Sequence, residues 1–210
     1  MEFKEYHKIP SAYKLDAAAK KYTREFSSKE LEYLSDCIWM WTEKIDGTNI
    51  RVCWDGHKVG LRGRTDRAQM SKELLDLLNR LFGGPEMEIK FEEIFQDKPA
   101  MLVGEAFGPG IQSGGGYGPE LQFRLFDVKV GGFWLESPAL KDIAEKLNIR
   151  CVPLVGYGRI EFASEYLADQ EKTTIEGGTA PIEGLVGVPT VRLNKANGER
   201  IIVKIRKEYL

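Results

Sequence analysis

Residues 37–62 read CIWMWTEKIDGTNIRVCWDGHKVGLR. Cys37–Lys44 is rich in aromatic and β-branched residues, as strands are. Ile50–Trp54 alternates apolar and polar side chains, as a half-buried strand does. Asp55-Gly56 has the chemistry of a type I′ turn, with Lys58–Arg62 as the returning strand. Between the first two strands lies Lys44-Ile45-Asp46-Gly47-Thr48-Asn49. A glycine soon after an acidic residue lets the backbone bend closely around a ligand. A lysine at the end of a strand before such a bend can offer its amine to a phosphate.

The same reading extends outward. Asp16–Phe26 has helical composition, and Ser27 with Glu30 resembles a capping box opening a short helix toward Asp36. Leu74, Leu75, Leu77, Leu78, Leu81 and Phe82 form a wide apolar helical stripe stopped at Gly83-Gly84-Pro85. Helices are also expected over Glu86–Gln96, Ser137–Asn148 and Glu161–Lys172. Strands are expected at Ala100–Phe107, Leu121–Val130, Phe133–Glu136, Cys151–Tyr157, Ile182–Val188, Val191–Leu193 and Ile201–Arg206. Gly131-Gly132 and Asn197-Gly198 supply hairpin turns. Strands joined by tight turns predict antiparallel sheets with peripheral helices, an α+β class.

The chain has 210 residues, enough for one domain. Its formal net charge is −2, so any affinity for nucleic acid must come from a local patch. Two stretches qualify, Arg51–Arg67 and Arg192–Lys207, though each also fits a solvated strand face. Cys37, Cys53 and Cys151 are scattered, with no C-x-x-C pair and only His7 and His57 to join them. That pattern argues against zinc and against a disulfide framework. It fits a reducing cytoplasm. No apolar run approaches the ~20 residues that span a bilayer, so no membrane partner is expected.

Six residues recur in a telling order: Lys44, Arg64 in R-G-R-T, Glu105 in V-G-E-A-F-G, Phe126 in L-F-D-V, Glu183 in I-E-G-L-V, and Lys204 in V-K-I-R. This order and spacing resemble the covalent nucleotidyltransferases: DNA ligases, RNA ligases and mRNA-capping enzymes. The chain looks most like the nick-sealing (type 2) branch of the phage RNA ligases. There the match extends to E-K-I-x-G-T-N, R-T, G-E-x-x-G-P-G-I-Q, Y-G, F-D-V and E-G-x-V, across Lys8–Lys207. The resemblance implies a nucleotidyltransferase (ATP-grasp-like) fold. It also implies one adenylyltransferase domain over 1–210, with no OB or C-terminal helical domain.

The resemblance implies ATP and Mg2+ (or Mn2+) as cofactors, and RNA with 5′-phosphate and 3′-hydroxyl ends, at duplex nicks, as partner. It implies a cytoplasmic enzyme, including a viral one in a host cytoplasm. Lys44 would attack ATP to form lysyl-AMP, pass AMP to a 5′-phosphate, and leave the 3′-hydroxyl to complete the bond. Its amine must be neutral to attack, whereas an ordinary lysine titrates at ~10.4. Desolvation and neighbouring cations favour the neutral form. By the same resemblance Glu43 would accept the adenine amine, Phe126 would stack on the base, and Glu105 would bind the ribose hydroxyls. Ile45, Asn49 and Arg64 would complete the nucleotide site. Glu183 would hold the metal, which suits a cation that prefers few carboxylates and several waters. Lys204 would neutralise the transferred phosphate and also contact the nucleotide. Arg206 would assist catalysis, although close relatives commonly have K-x-K where this chain has Lys204-Ile205-Arg206; Lys207 is the candidate to compensate. A DNA ligase or capping-type enzyme, or a non-catalytic nucleic-acid-binding module, is the alternative.

Overall fold

A computed structural model describes residues 3–112 and 114–210. In chain order the elements begin with β1 (Tyr13–Asp16), β2 (Lys21–Phe26), α1 (Lys29–Tyr33), β3 (Trp39–Lys44), β4 (Thr48–Trp54) and β5 (Val59–Gly63). Next come α2 (Lys72–Phe82), α3 (Pro85–Phe95), β6 (Ala100–Phe107), β7 (Gln122–Val130), β8 (Phe133–Trp134) and α4 (Ser137–Lys146). The chain ends with β9 (Arg150–Cys151), β10 (Leu154–Gly158), α5 (Ile160–Asp169), β11 (Gly184–Pro189) and β12 (Val203–Arg206). These form two compact units. The first is Asp46–Cys151 with the residues up to His7; the second is Lys8–Ile45 with Val152–Leu210. Antiparallel pairing dominates both, as the α+β reading expects. Among the described residues, no helix is long and apolar enough to cross a membrane.

The first unit is a sheet in the order β5-β4-β6-β7-β8, with β9 parallel to β7. Period-two alternation sends Ile50, Val52 and Trp54 of β4, and Leu102 and Ala106 of β6, to one face. There they join Leu74, Leu78 and Phe82 of α2, Phe91 and Phe95 of α3, and Leu140 and Ile143 of α4. Each large side chain fully buried this way contributes ~1.5–3 kcal/mol. The α2 stripe therefore holds its helix to the sheet, and Ser71 Oγ caps it by accepting from Leu74 N–H. The other face of the sheet carries Asn49, Arg51 and Glu105. Strand β7 takes one extra residue: Gly104 pairs with Leu125 and Val103 with Asp127, so Phe126 is a bulge.

The second unit is a sheet in the order β10-β3-β11-β12, plus the β1-β2 hairpin. Trp39, Trp41, Leu185, Val203 and Ile205 bury one face with Ile160, Ala163 and Leu167 of α5.

Four local expectations are corrected. Residues 16–26 are not a helix but the end of β1, a turn and β2. Asp16 Oδ1 accepts from Ala18 and Ala19 N–H at 2.8 and 3.1 Å, turning the alanine run. The Tyr13 ring then packs on Phe26 at 5.2 Å and on Tyr22 at 6.0 Å, so tertiary packing overrides helical propensity. The cap of α1 is Ser28, which accepts from Leu31 N–H. Ser27 instead donates its hydroxyl to Ser11 O. The β4-β5 turn is not type I′: only Gly56 has positive φ, and Asp55 Oδ1 accepts from His57 and Lys58 N–H. Val191–Leu193 is not a strand; Val191 is exposed and the turn beyond it retains one bridge, Asn194 with Arg200.

Candidate active site

In the second unit, the register places Lys44, Gly184 and Arg206 in one row across β3, β11 and β12. Thr42, Val186 and Lys204 form the next row. Alternation turns these side chains away from the tryptophan-lined core. Gly184 is glycine because the backbones approach closely: a Cβ there would lie 2.1 Å from Ile205 O. Glu183, just before β11, reaches both ends of the row. Its Oε2 accepts from Lys44 Nζ at 2.6 Å, and its Oε1 lies 3.3 Å from Arg206 Nε. Arg206 also pairs with Glu208 at 2.7 Å, and its guanidinium lies over the Tyr209 ring. Arg206 therefore lends Glu183 positive charge from one side, without a hydrogen bond from its Nε, while Lys44 donates from the other. The Lys44–Glu183 pair is mostly shielded, with side-chain exposures of 25% and 13%.

Lys204 sits in this cationic row at a cost. Burial lowers its amine below the usual lysine range, and Lys44, Arg206 and Lys8 push the same way against Glu183. The unfolded chain therefore binds more protons than the fold between the lowered value and the ordinary one of ~10.4, so this group makes stability rise with pH across that window. Removing the charge should help the fold and harm the chemistry. Lys204→Met is expected to raise Tm by ~1–3 °C near neutral pH, while lowering nucleotidyl transfer about 100-fold through lost phosphate stabilisation. Calorimetry and a single-turnover assay check the two arms, and a variant that is both less stable and fully active would contradict the assignment.

Glu43 requires a correction. Its side chain lies on the opposite side of β3 from Lys44 and is only 2% exposed. Both oxygens are taken: Oε1 accepts from Thr173 Oγ1, and Oε2 from Thr174 Oγ1 and from Thr174 N–H at 2.7 Å. A carboxylate so occupied is not available to an adenine amine; it ties residues 173–174 beneath the strand that ends in Lys44. Thr173 and Thr174 carried no motif signal, because their role exists only through a partner 130 and 131 positions away. Glu43→Gln removes the charge around which the Thr174 N–H and the two hydroxyls are arranged and is expected to destabilise the unit by ~1–3 kcal/mol. Preference between ATP and GTP should not change. A switch in base preference without loss of Tm would restore the adenine role. Ile45 is likewise buried, at 3% exposure.

Lys207 does not stand in for a second lysine. Its ammonium donates to Leu167 O and Gln170 O, both at 2.7 Å, closing the C-terminal end of α5.

The first unit holds Asn49, Arg64, Glu105 and Phe126. Asn49 and Glu105 are direct cross-strand partners. Gly47 permits this packing, since a Cβ there would fall 2.3 Å from Ala106 O and 2.9 Å from the Glu105 side chain. Asn49 Oδ1 is buried with no hydrogen-bond partner, a state that costs ~1–3 kcal/mol and suits a ligand donor. The Phe126 bulge ring meets the edge of Tyr6 at 5.5 Å, and Tyr6 donates its hydroxyl to Asp127 Oδ2 at 2.6 Å. Tyr6 carries no motif signal, since a lone tyrosine has no spacing pattern. Arg64 is exposed just after β5. Arg51 leaves the basic patch altogether: it is fully buried, donating to Gly63 O, Phe3 O, Lys4 O and Asp66. Tyr117, at the end of the short turn Gly114–Tyr117, accepts at its hydroxyl from Asp46 N–H at 3.0 Å.

Among the described residues, no group of three or more His, Cys, Asp or Glu side chains could hold a metal. Glu183 would offer a magnesium-like ion, which keeps most of its water, the oxygen that Lys44 now occupies once that contact is released.

A family model described as RNA ligase matches residues 38–206. No curated protein matches the chain. Solved structures of Naegleria gruberi RNA ligase are similar in fold. One variant with ATP and Mn gives a TM-score of 0.64 at 17% identity, covering 84% of this chain and 51% of that one. An apo variant gives 0.65 at 17%, covering 85% and 52%. The enzyme with PPi gives 0.63 at 18%, covering 84% and 51%. The chain thus spans about half the length of those proteins. With the family model spanning β3 through β12, this chain belongs to the RNA ligase family.

Proposed function

We propose that the protein is an ATP-dependent RNA ligase that carries AMP on Lys44, transfers it to an RNA 5′-phosphate, and joins that end to a 3′-hydroxyl at nicks. The observation that carries this reading is the Lys44–Glu183 contact of 2.6 Å beside Lys204 and Arg206. Attack on ATP requires the Lys44 amine to give up this contact and its proton; the Lys44 Nζ–phosphorus bond forms as the bond to pyrophosphate breaks. Lys204 and Arg206 supply fixed positive charge where negative charge develops on phosphate. A divalent cation held by Glu183, when bound, would neutralise phosphate charge and ease departure of the leaving group. The fold relative with ATP and Mn supports this choice of nucleotide and metal class. Asn49, Arg64, Glu105 and Phe126 serve the nucleoside, with the orphaned Asn49 acceptor ready for a donor. We place the activity in the cytoplasm, in keeping with three free cysteines.

The test pairs nucleotide labelling with strand joining. With α-labelled ATP and magnesium, label should stay on the denatured protein, and α-labelled GTP should give none. Nicked RNA duplex should be sealed faster than nicked DNA or single-stranded RNA. Labelling by GTP alone would point to a capping-type enzyme, and equal sealing of DNA would remove the RNA preference.

A further inference from the structure

The row that holds Asn49 and Glu105 does not end there. Glu105 pairs with Arg124 on β7, and Arg124 pairs with Arg150 on β9. Asn49, Glu105, Arg124 and Arg150 therefore lie side by side across four strands, on the face away from the helices. The two arginines belong to no motif discussed above.

Their setting is that of a built cationic site. The Arg124 guanidinium is half-buried and fixed in direction. It donates to Gln122 Oε1 at 3.0 Å and to Phe123 O at 3.3 Å, and its carbon lies 5.8 Å from the Phe107 ring centre. All of these partners are neutral. Among the described residues, neither Arg124 nor Arg150 has a carboxylate within ion-pair distance. Burial and then Arg150 make the charge on Arg124 harder to hold. Glu145 of α4 acts on Cys151, which alternates to the helix face opposite Leu125. Two adjacent guanidiniums, outside ion-pair distance of any described carboxylate and with Glu105 as the cross-strand neighbour of Arg124, make a subsite for an anion. Guanidinium forks match phosphate oxygens, and Arg150 is exposed enough to be reached.

We infer that Arg124 and Arg150 bind the phosphodiester backbone of the RNA strand being joined, extending the nucleotide row into a substrate-binding track. The inference rests on the ligase reading for its ligand class. Its experiment is read separately, because Lys44 labelling needs only ATP whereas RNA binding needs only the track.

The test uses the full chain and a dye-labelled, 5′-phosphorylated single-stranded RNA, titrated at several salt concentrations. Replacing both residues (Arg124→Ala with Arg150→Ala) should weaken binding about tenfold. The log–log salt slope should become shallower by about 1.4, two phosphates at ~0.7 each. Labelling of Lys44 by ATP should stay within about twofold of the parent. Because Arg124 is half-buried, the exposed change Arg150→Glu is the control for folding; it should weaken RNA binding at least as much with no change in Tm. Unchanged affinity and slope in both variants would overturn the inference. Loss of Lys44 labelling in Arg150→Glu would also overturn it, by assigning the pair to the nucleotide. Absence of labelling in the parent protein, with the RNA-binding loss intact, would sink the ligase reading and leave the track standing.

Discussion

Lys44→Ala is expected to eliminate protein labelling by α-labelled ATP, a loss of at least about 10³-fold, because the covalent bond has no other amine to form on. Lys204 is the nearest alternative by register, one row away in the interior of β12, and it is already held in a half-buried position. Lys44→Arg should be equally inactive. Guanidinium keeps the charge but does not surrender its proton, so it cannot attack phosphorus. Neither change should unfold the protein. The Lys44–Glu183 pair is mostly shielded, but Arg206 lies 3.3 Å from Glu183, so the carboxylate is not left buried without a cation beside it. Mass spectrometry of the denatured protein after incubation with ATP gives the decisive reading. Full-level adenylylation on Lys44→Ala, at any residue, would refute the assigned nucleophile.

Glu183→Gln should produce the second-largest loss, about 100-fold or more in the rate of adenylylation at saturating ATP, which corresponds to ~2.7 kcal/mol of barrier. The amide has the shape of the carboxylate but not its charge. It cannot neutralise Lys44 and Arg206 together, and it is a poor ligand for a hard cation. The backbone at this position should not move, because Glu183 O accepts from Lys207 N–H at 2.9 Å independently of the side chain. The loss should therefore appear in a protein that still folds, with Tm lowered by the cations left without their carboxylate, and higher magnesium should recover part of it. A Gln variant that labels at the parent rate across the whole magnesium range would remove Glu183 from the chemistry.

Much of this fold can be read from local pattern alone. The α2 helix follows from its leucine spacing and β4 from its alternation, because the repeat of the backbone dictates which residues share a face. The six motif residues likewise lie in or beside strands, where a fixed direction is given to a side chain by the pleat. The amino-acid order by itself thus determined the class of the fold, the family and the position of the candidate nucleophile.

What it did not determine depends on residues distant in the chain. The alanines at 17–19 favour a helix, yet Tyr13, Tyr22 and Phe26 draw that segment into a hairpin by packing their rings. Glu43 stands next to Lys44 in sequence, but strand alternation sends it to the opposite face, where Thr173 and Thr174 occupy it. Arg51 and Lys207 look like surface cations until their carbonyl partners come into place. Arg124 and Arg150 become neighbours only through the pairing of β7 with β9. Local order sets which face of a strand a side chain takes; only the completed sheets set what that face meets, because a buried charge is defined by partners that the chain brings from far away.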